Sequence, residues 1–202
     1  MKTKNGTAQR LGRPRDSRAD RAIIAATLEL VAEAGVQDFR MDDVAERAGV
    51  GKAAIYRRYR SKDDLVAATV AALVSEIEVP DTGSTREDLV ELMREAVQVY
   101  SDPVRSGVIA SVVGSMRLHP ELTRTVREGF LAGRRAALSV VLDRGIARGD
   151  LASGLDVELA LDALGGALFY RLLITGGPID EHLAEGVAEL ILRGFAPLKE
   201  QS

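Results

Sequence analysis

The side chains whose types and spacing could do chemistry are concentrated between Arg40 and Lys62, in the stretch RMDDVAERAGVGKAAIYRRYRSK. In a helix beginning at Lys52, Ile55 and Tyr59 share one face, whereas Lys52 with Tyr56, and Ala53 with Arg57, fall on the faces turned away from it. The chemistry such a surface supports is recognition of double-stranded DNA. Ala53 and Ala54 are small enough to let a backbone approach the bases, Lys52, Arg57 and Arg58 donate to phosphates and purine edges, and Tyr56 adds an aromatic, hydroxyl-bearing contact.

Other chemistries find no support. The chain has no cysteine, which removes disulfides, thiolate metal sites and thiol catalysis. Of its two histidines, His119 precedes Pro120 and His182 falls in the first turn of a helix, and neither has a partner at ligand spacing, so no metal and no cofactor is expected. Gly114-Ser115 lacks the flanking glycine of a nucleophile elbow, and Gly51-Lys52 lacks the upstream glycine of a phosphate loop. The chain reads as a non-enzyme.

The elements that must position the groove-reading residues can be followed outward. Met41, Val44, Ala45 and Ala48 recur at helical spacing, Gly49-Val50-Gly51 supplies a turn, and Gly51 can cap the helix that starts at Lys52. Before them, Ser17 to Ala34 forms a long helix carrying Ile24, Leu28 and Val31, closed by Gly35. The overall charge of −3 conceals a polar division: residues 1–62 hold 14 Lys/Arg against 8 Asp/Glu, the remainder 13 against 22. A basic head on an acidic body places nucleic acid at one end. Residues 1–16 are polar, and Arg13 and Arg15, around Pro14, suit either a minor-groove arm or a solubilising tail.

The run DVAERAGVGKAAIYRRYRSKDDL resembles the DNA-binding signature of the TetR family of transcriptional regulators. The resemblance implies an all-α fold: a flexible basic arm over 1–16, a three-helix DNA-binding domain over 17–62, and a regulatory and dimerisation domain over 63–202. It also implies that Lys52, Ala53, Ala54, Tyr56 and Arg57 face the groove, with Tyr56 and Lys62 on phosphates. Arg40 stands where the family often has a phosphate-binding Thr, Gly51 where Ser or Thr is frequent, and Arg60 where Pro or Gly is frequent. Arg40, Gly51 and Arg58 complete the DNA-facing set.

Caps and breakers divide the remainder. Ser61 opens a connecting helix to about Glu78, Ser84-x-x-Glu87 a helix to Tyr100, and Asp102-Pro103 one to Leu118. His119-Pro120 opens a run to Arg148, Asp156 one to Thr175, and Asp180 one to Gly194, for nine helices in all. The last two are apolar beyond a single stripe, so they are either internal or paired with a twofold mate. The resemblance favours pairing into a homodimer, through Leu161, Leu164, Leu168 and Leu172 of one helix and Leu183, Val187, Leu190 and Ile191 of the other.

A pocket for a small apolar or aromatic effector would draw on Met93, Tyr100, Met116, Phe130 and Phe169, with Tyr100 or Arg134 as polar anchor; the same side chains could simply be core. The functional expectation is a cytoplasmic repressor that binds a palindromic operator as a homodimer and is released by a ligand. The alternative is a ligand-independent regulator with a filled core. The most apolar tract is broken by Asp162 and Arg171, so no membrane partner is expected.

Overall fold

The computed structural model describes residues 17–73 and 77–196. Among them are nine helices and no strand: α1 Ser17–Asp38, α2 Met41–Arg47, α3 Lys52–Tyr56, α4 Lys62–Ala72, α5 Thr85–Ser101, α6 Pro103–Ser115, α7 over 120–148, α8 over 157–175 and α9 Glu181–Gly194. Five of them begin at a side chain that accepts a hydrogen bond from an otherwise orphaned amide. Ser61 accepts from Asp64 at 3.0 Å, Ser84 from Glu87 at 3.3 Å, Asp102 from Arg105 at 2.8 Å, and Asp156 and Asp180 from Leu159 and Leu183 at 3.1 Å. Each cap contributes about 1 kcal/mol and fixes where its helix starts.

Local chemistry moved three ends from their expected positions. Helix α1 bends at Gly35 (φ 82°, ψ 169°) and resumes for one turn, because the Val36 amide freed by the bend donates to Ser111 Oγ at 2.8 Å, pinning α1 to α6. Helix α3 stops at Tyr56, three residues early, with Arg58 and Tyr59 both bonded back to the Ile55 carbonyl in a closing turn. Helix α6 ends at Ser115, and the expected end of α4 near Glu78 falls partly outside the described residues. Helices α7 and α8 are continuous as expected, but each carries a five-residue π-helical stretch, Arg127–Leu131 and Arg171–Thr175.

Ile23, Val44 and Ile55 are fully buried where α1, α2 and α3 meet, and Leu89, Val108, Leu122, Leu142 and Leu164 are fully buried in the body. Helix α1 lies along α6 as well as α4, so the head rests on the body through a helix of its own. Where the segment before α5 meets the end of α7, a buried carboxylate organises the packing. Asp88 accepts from the Thr82 amide (2.9 Å) and hydroxyl (2.7 Å) and faces Arg148 at 3.5 Å, while Arg148 donates to Thr85 and Thr85 to Asp150.

The expected dimer stripe requires correction. Leu161, Leu164, Leu168, Leu183, Val187 and Ile191 are all buried within the protomer, and Leu172 is half-buried; of the eight, only Leu190 stands well out. A helix apolar around its circumference does not reveal by period which stripe faces inward. The outward stripe of α8 is Leu159, Tyr170 and Ile174, with half-buried Ala163 between them, and α9 exposes Leu190.

Candidate nucleic-acid interface and ligand cavity

Helix α2 ends in a hydrogen-bonded reversal that presents α3. The Gly49 amide bonds to the Glu46 carbonyl at 3.1 Å and the Val50 amide to that of Ala45 at 3.0 Å, with Gly49 in the left-handed conformation (φ 64°). This is the pairing that satisfies a helix's last carbonyls when the chain must turn away sharply. Ile55 then inserts into the core, which leaves Gly51, Lys52, Ala53, Tyr56 and Arg57 exposed and Ala54 half-buried at the edge. Arg40 lies next to this surface at the start of α2, where the Asp43 carboxylate accepts from the Arg40 amide at 2.7 Å, and the Arg40 side chain is exposed. Arg13 and Arg15 lie outside the described residues.

Lys52 is paired with Asp42 at 2.6 Å, and that carboxylate raises its pKa above the usual lysine value. Both partners are exposed, so the pair is water-screened and a phosphate can replace Asp42. Two basic side chains placed on DNA by sequence turn inward instead. Arg58 donates from Nε to Asp20 at 2.5 Å and from Nη1 to the Ala54 carbonyl at 3.0 Å, tying α3 back to α1. The Lys62 ammonium donates to the Gln37 carbonyl at 2.8 Å and the Phe39 carbonyl at 2.6 Å, and lies 4.3 Å from the Phe39 ring centroid. Partial burial lowers its pKa, against the opposing pull of Asp38, Asp63 and Asp43. In this conformation both cations close the head. Sequence reasoning missed Asp20, Asp42 and the two carbonyls because their pairing needs the fold.

The body encloses a cavity of about 310 Å³ between α5, α7 and α8. That lies at the low end of the roughly 300–1,000 Å³ range of small-molecule sites. Met93, Tyr100, Phe130 and Phe169 line it, as expected from sequence, and so does Arg134. Met116 does not. It borders a void of about 20 Å³ between α6, α7 and Val70 of α4, and the main cavity and this void share Phe130, Leu131 and Phe169 as a common wall. Tyr100 and Phe169 stack edge to face, with centroids 5.5 Å apart and planes at 87°. Burial pushes the Tyr100 phenol well above the ordinary tyrosine value, opposed by the charge of Arg134, so it remains a hydrogen-bond donor at neutral pH.

Gly165 and Gly166 form part of the cavity wall, and a Cβ built on either would meet nothing within 4 Å. Sequence reasoning passed over this pair, although two glycines inside an apolar helix cost stability and call for a reason. At the mouth, Arg135 pairs with Asp162 at 2.8 Å and also with Glu158. Among the described residues no cluster of acidic or histidine side chains could hold a metal, and no helix is long and apolar enough to cross a membrane.

Comparison with known proteins identifies the family. Residues 23–69 match the family described as bacterial regulatory proteins, tetR family, and residues 79–191 match the tetracyclin repressor-like C-terminal domain. The HTH-type transcriptional regulator YdeS of Bacillus subtilis is 33% identical over 95% of each chain. The HTH-type transcriptional regulator AqdR of Rhodococcus erythropolis is 31% identical over 93% of this chain and 90% of its own. The crystal structure of the transcriptional regulator FadR from Bacillus subtilis, in complex with stearoyl-CoA, has a TM-score of 0.74 at 23% identity, covering 87% of this chain and 98% of that one. A turn-presented helix with a small, basic outer face, a helical body behind it, and two family matches that span both make this chain a member of the TetR family of DNA-binding transcriptional regulators.

Proposed function

We propose that this chain is a repressor that binds a palindromic operator as a homodimer and is released when a small molecule occupies the cavity of the body. The observation that carries the reading is the shared wall. Phe130, Leu131 and Phe169 separate the cavity from the void that borders Val70 of α4, the helix that leads out of the head. An occupant that displaces these side chains has space to move them toward α4. Motion at α4 reaches the head through Lys62 at its N-terminal end and the Gln37 and Phe39 carbonyls that Lys62 holds. The cavity also disfavours the alternative of a filled, ligand-independent core. The transcriptional regulator FadR of Bacillus subtilis in complex with stearoyl-CoA is an instance of a small molecule bound to this fold.

Arg40, Gly51, Lys52, Ala53, Ala54, Tyr56 and Arg57 form the groove-facing surface, and occlusion of a promoter by the bound dimer accounts for repression. The outward stripe of α8 and α9 provides the twofold contact: Leu159, Tyr170, Ile174 and Leu190 are 55%, 59%, 70% and 64% exposed in the isolated chain. Pairing there sets two heads about one DNA turn apart.

Selection from a random-sequence duplex pool, followed by a salt titration on the enriched site, tests the DNA half. A palindromic winner whose affinity falls steeply with salt is the expected result, and absence of enrichment would refute it. The effector half requires that an occupant bind the free protein more tightly than the operator complex. Equal affinity for the two forms would rule it out, because linkage is reciprocal.

A further inference from the structure

The cavity contains one unmet electrostatic demand. Arg134 lines it, yet its Nε is buried without a hydrogen-bond partner, and no described residue pairs with its guanidinium. Burial lowers its pKa, and Tyr100 and Glu95 act on it only through space. Its neighbour Arg135 is fully engaged at the mouth by Glu158 and Asp162. A guanidinium cannot shed its charge at physiological pH, so an unpaired one in a cavity wall is a standing cost that a ligand can remove. The remaining polar feature is the Tyr100 hydroxyl, which stays protonated and has no hydrogen bond to any described residue. Leu92, Met93, Leu138, Leu164 and Leu168 make the surrounding surface apolar.

We infer that the effector is an apolar molecule with a single anionic end, of the carboxylate type, whose anion is received by Arg134 with Tyr100 as second donor. The inference rests on the proposed effector response and names the chemistry of that same site. An anion offers the two acceptor oxygens that a guanidinium edge and a phenol can share, and charge-assisted bonds of this kind are the strong ones. A neutral hydroxyl or amide satisfies the geometry but leaves the charge unpaired. At about 30 Å³ per water, the cavity holds the volume of roughly ten waters, which sets the tail at on the order of ten non-hydrogen atoms.

The test uses 4-phenylbutanoate and decanoate with their primary amides as uncharged counterparts, measured by calorimetry on full-length dimeric protein and by release from the selected operator. The acids are expected to bind the wild type about 10- to 100-fold more tightly than the amides, and that preference is expected to vanish in Arg134→Met and to return in part in Arg134→Lys. Without ligand, Arg134→Met is expected to melt no lower than wild type, since it removes a half-buried guanidinium whose Nε has no hydrogen-bond partner. Equal binding of acids and amides by the wild type, or an unchanged acid preference in Arg134→Met, overturns the inference while leaving the effector response in place. If neither acids nor amides bind or release operator, the inference and the effector reading fall together.

Discussion

Lys62→Met separates two roles that a single lysine could have at a DNA-binding surface. Position alone suggests a phosphate contact, whereas the geometry makes Lys62 a clasp: it donates to the Gln37 and Phe39 carbonyls at 2.8 and 2.6 Å and lies over the Phe39 ring. Hydrogen bonds to a charged donor contribute about 1.5–3 kcal/mol each where water cannot replace them. Here the Gln37 carbonyl is exposed and rehydrates once the ammonium is gone, so the net loss is nearer 1–2 kcal/mol, or roughly 2–8 °C in Tm for a chain of this length. The assay is paired: thermal unfolding without DNA, and fluorescence anisotropy on the selected operator between 50 and 300 mM salt. A clasp predicts lower Tm and weaker binding to every sequence, with the slope of log K against log salt unchanged. A phosphate contact predicts unchanged Tm and a slope reduced by about 0.9. The second result would refute the structural reasoning. Arg57→Gln, in which the lost cation is exposed and has no ion pair among the described residues, is the positive control and should show that slope change.

Other changes probe separate parts of the molecule. Asp88→Ala removes the acceptor for Thr82 and leaves Arg148 without its buried partner, and is expected to cost about 3 kcal/mol by chemical denaturation. Gly145→Ala should destabilise by about 1–3 kcal/mol despite its better helix propensity. The new Cβ would lie 2.7 Å from Thr85 Cγ2, and Thr85 is held by Asp150 and Arg148, so a variant as stable as wild type would contradict the packing. Ile174→Glu combined with Leu190→Glu should convert the proposed dimer to monomer in analytical ultracentrifugation, whereas a change at Leu164, buried in the protomer, should lower stability first. Burial raises the folded pKa of Tyr100 well above the ordinary tyrosine value of 10.0. Its protonated form is favoured by the fold, so the stability it contributes is intact below pH 10 and is lost as pH rises toward the raised value. Spectrophotometric titration should show a phenol ionising above the ordinary tyrosine range that is missing in Tyr100→Phe, and that variant should flatten the alkaline loss.

The sequence was most informative where a local rule had a single outcome. Ser61, Ser84, Asp102, Asp156 and Asp180 each cap a helix because a short acceptor followed by helix-forming residues has no better use for its oxygen. The outward side chains of α3 were legible for a similar reason: Ile55 fixed the inward direction, and five residues are too few to drift. Information was lost wherever two faces were chemically alike. The apolar surface of α8 offered two leucine stripes, and only packing against α5 and α9 decides that Leu161, Leu164 and Leu168 are core while Leu159 and Ile174 are not. The intramolecular partners of Arg58 and Lys62 were not legible, because an arginine or lysine near DNA-reading residues has the same sequence signature whether it points at phosphate or at Asp20. Four of the five cavity residues were found because Met and aromatic side chains are rare enough in this chain to stand out. Gly165 and Gly166 border the cavity without a side chain, which residue-by-residue reading does not register.

The two π-helical stretches give the cavity wall a property of their own. Phe130 lies inside Arg127–Leu131, on backbone wound more widely than the α-helix on either side, and Phe169 lies two residues before the π-helical end of α8 at Arg171–Thr175. Deleting one residue from such a stretch restores regular winding without turning the flanking segments to new faces. A one-residue deletion within Arg127–Leu131 can therefore reshape the chamber while the helix on both sides of it keeps its register.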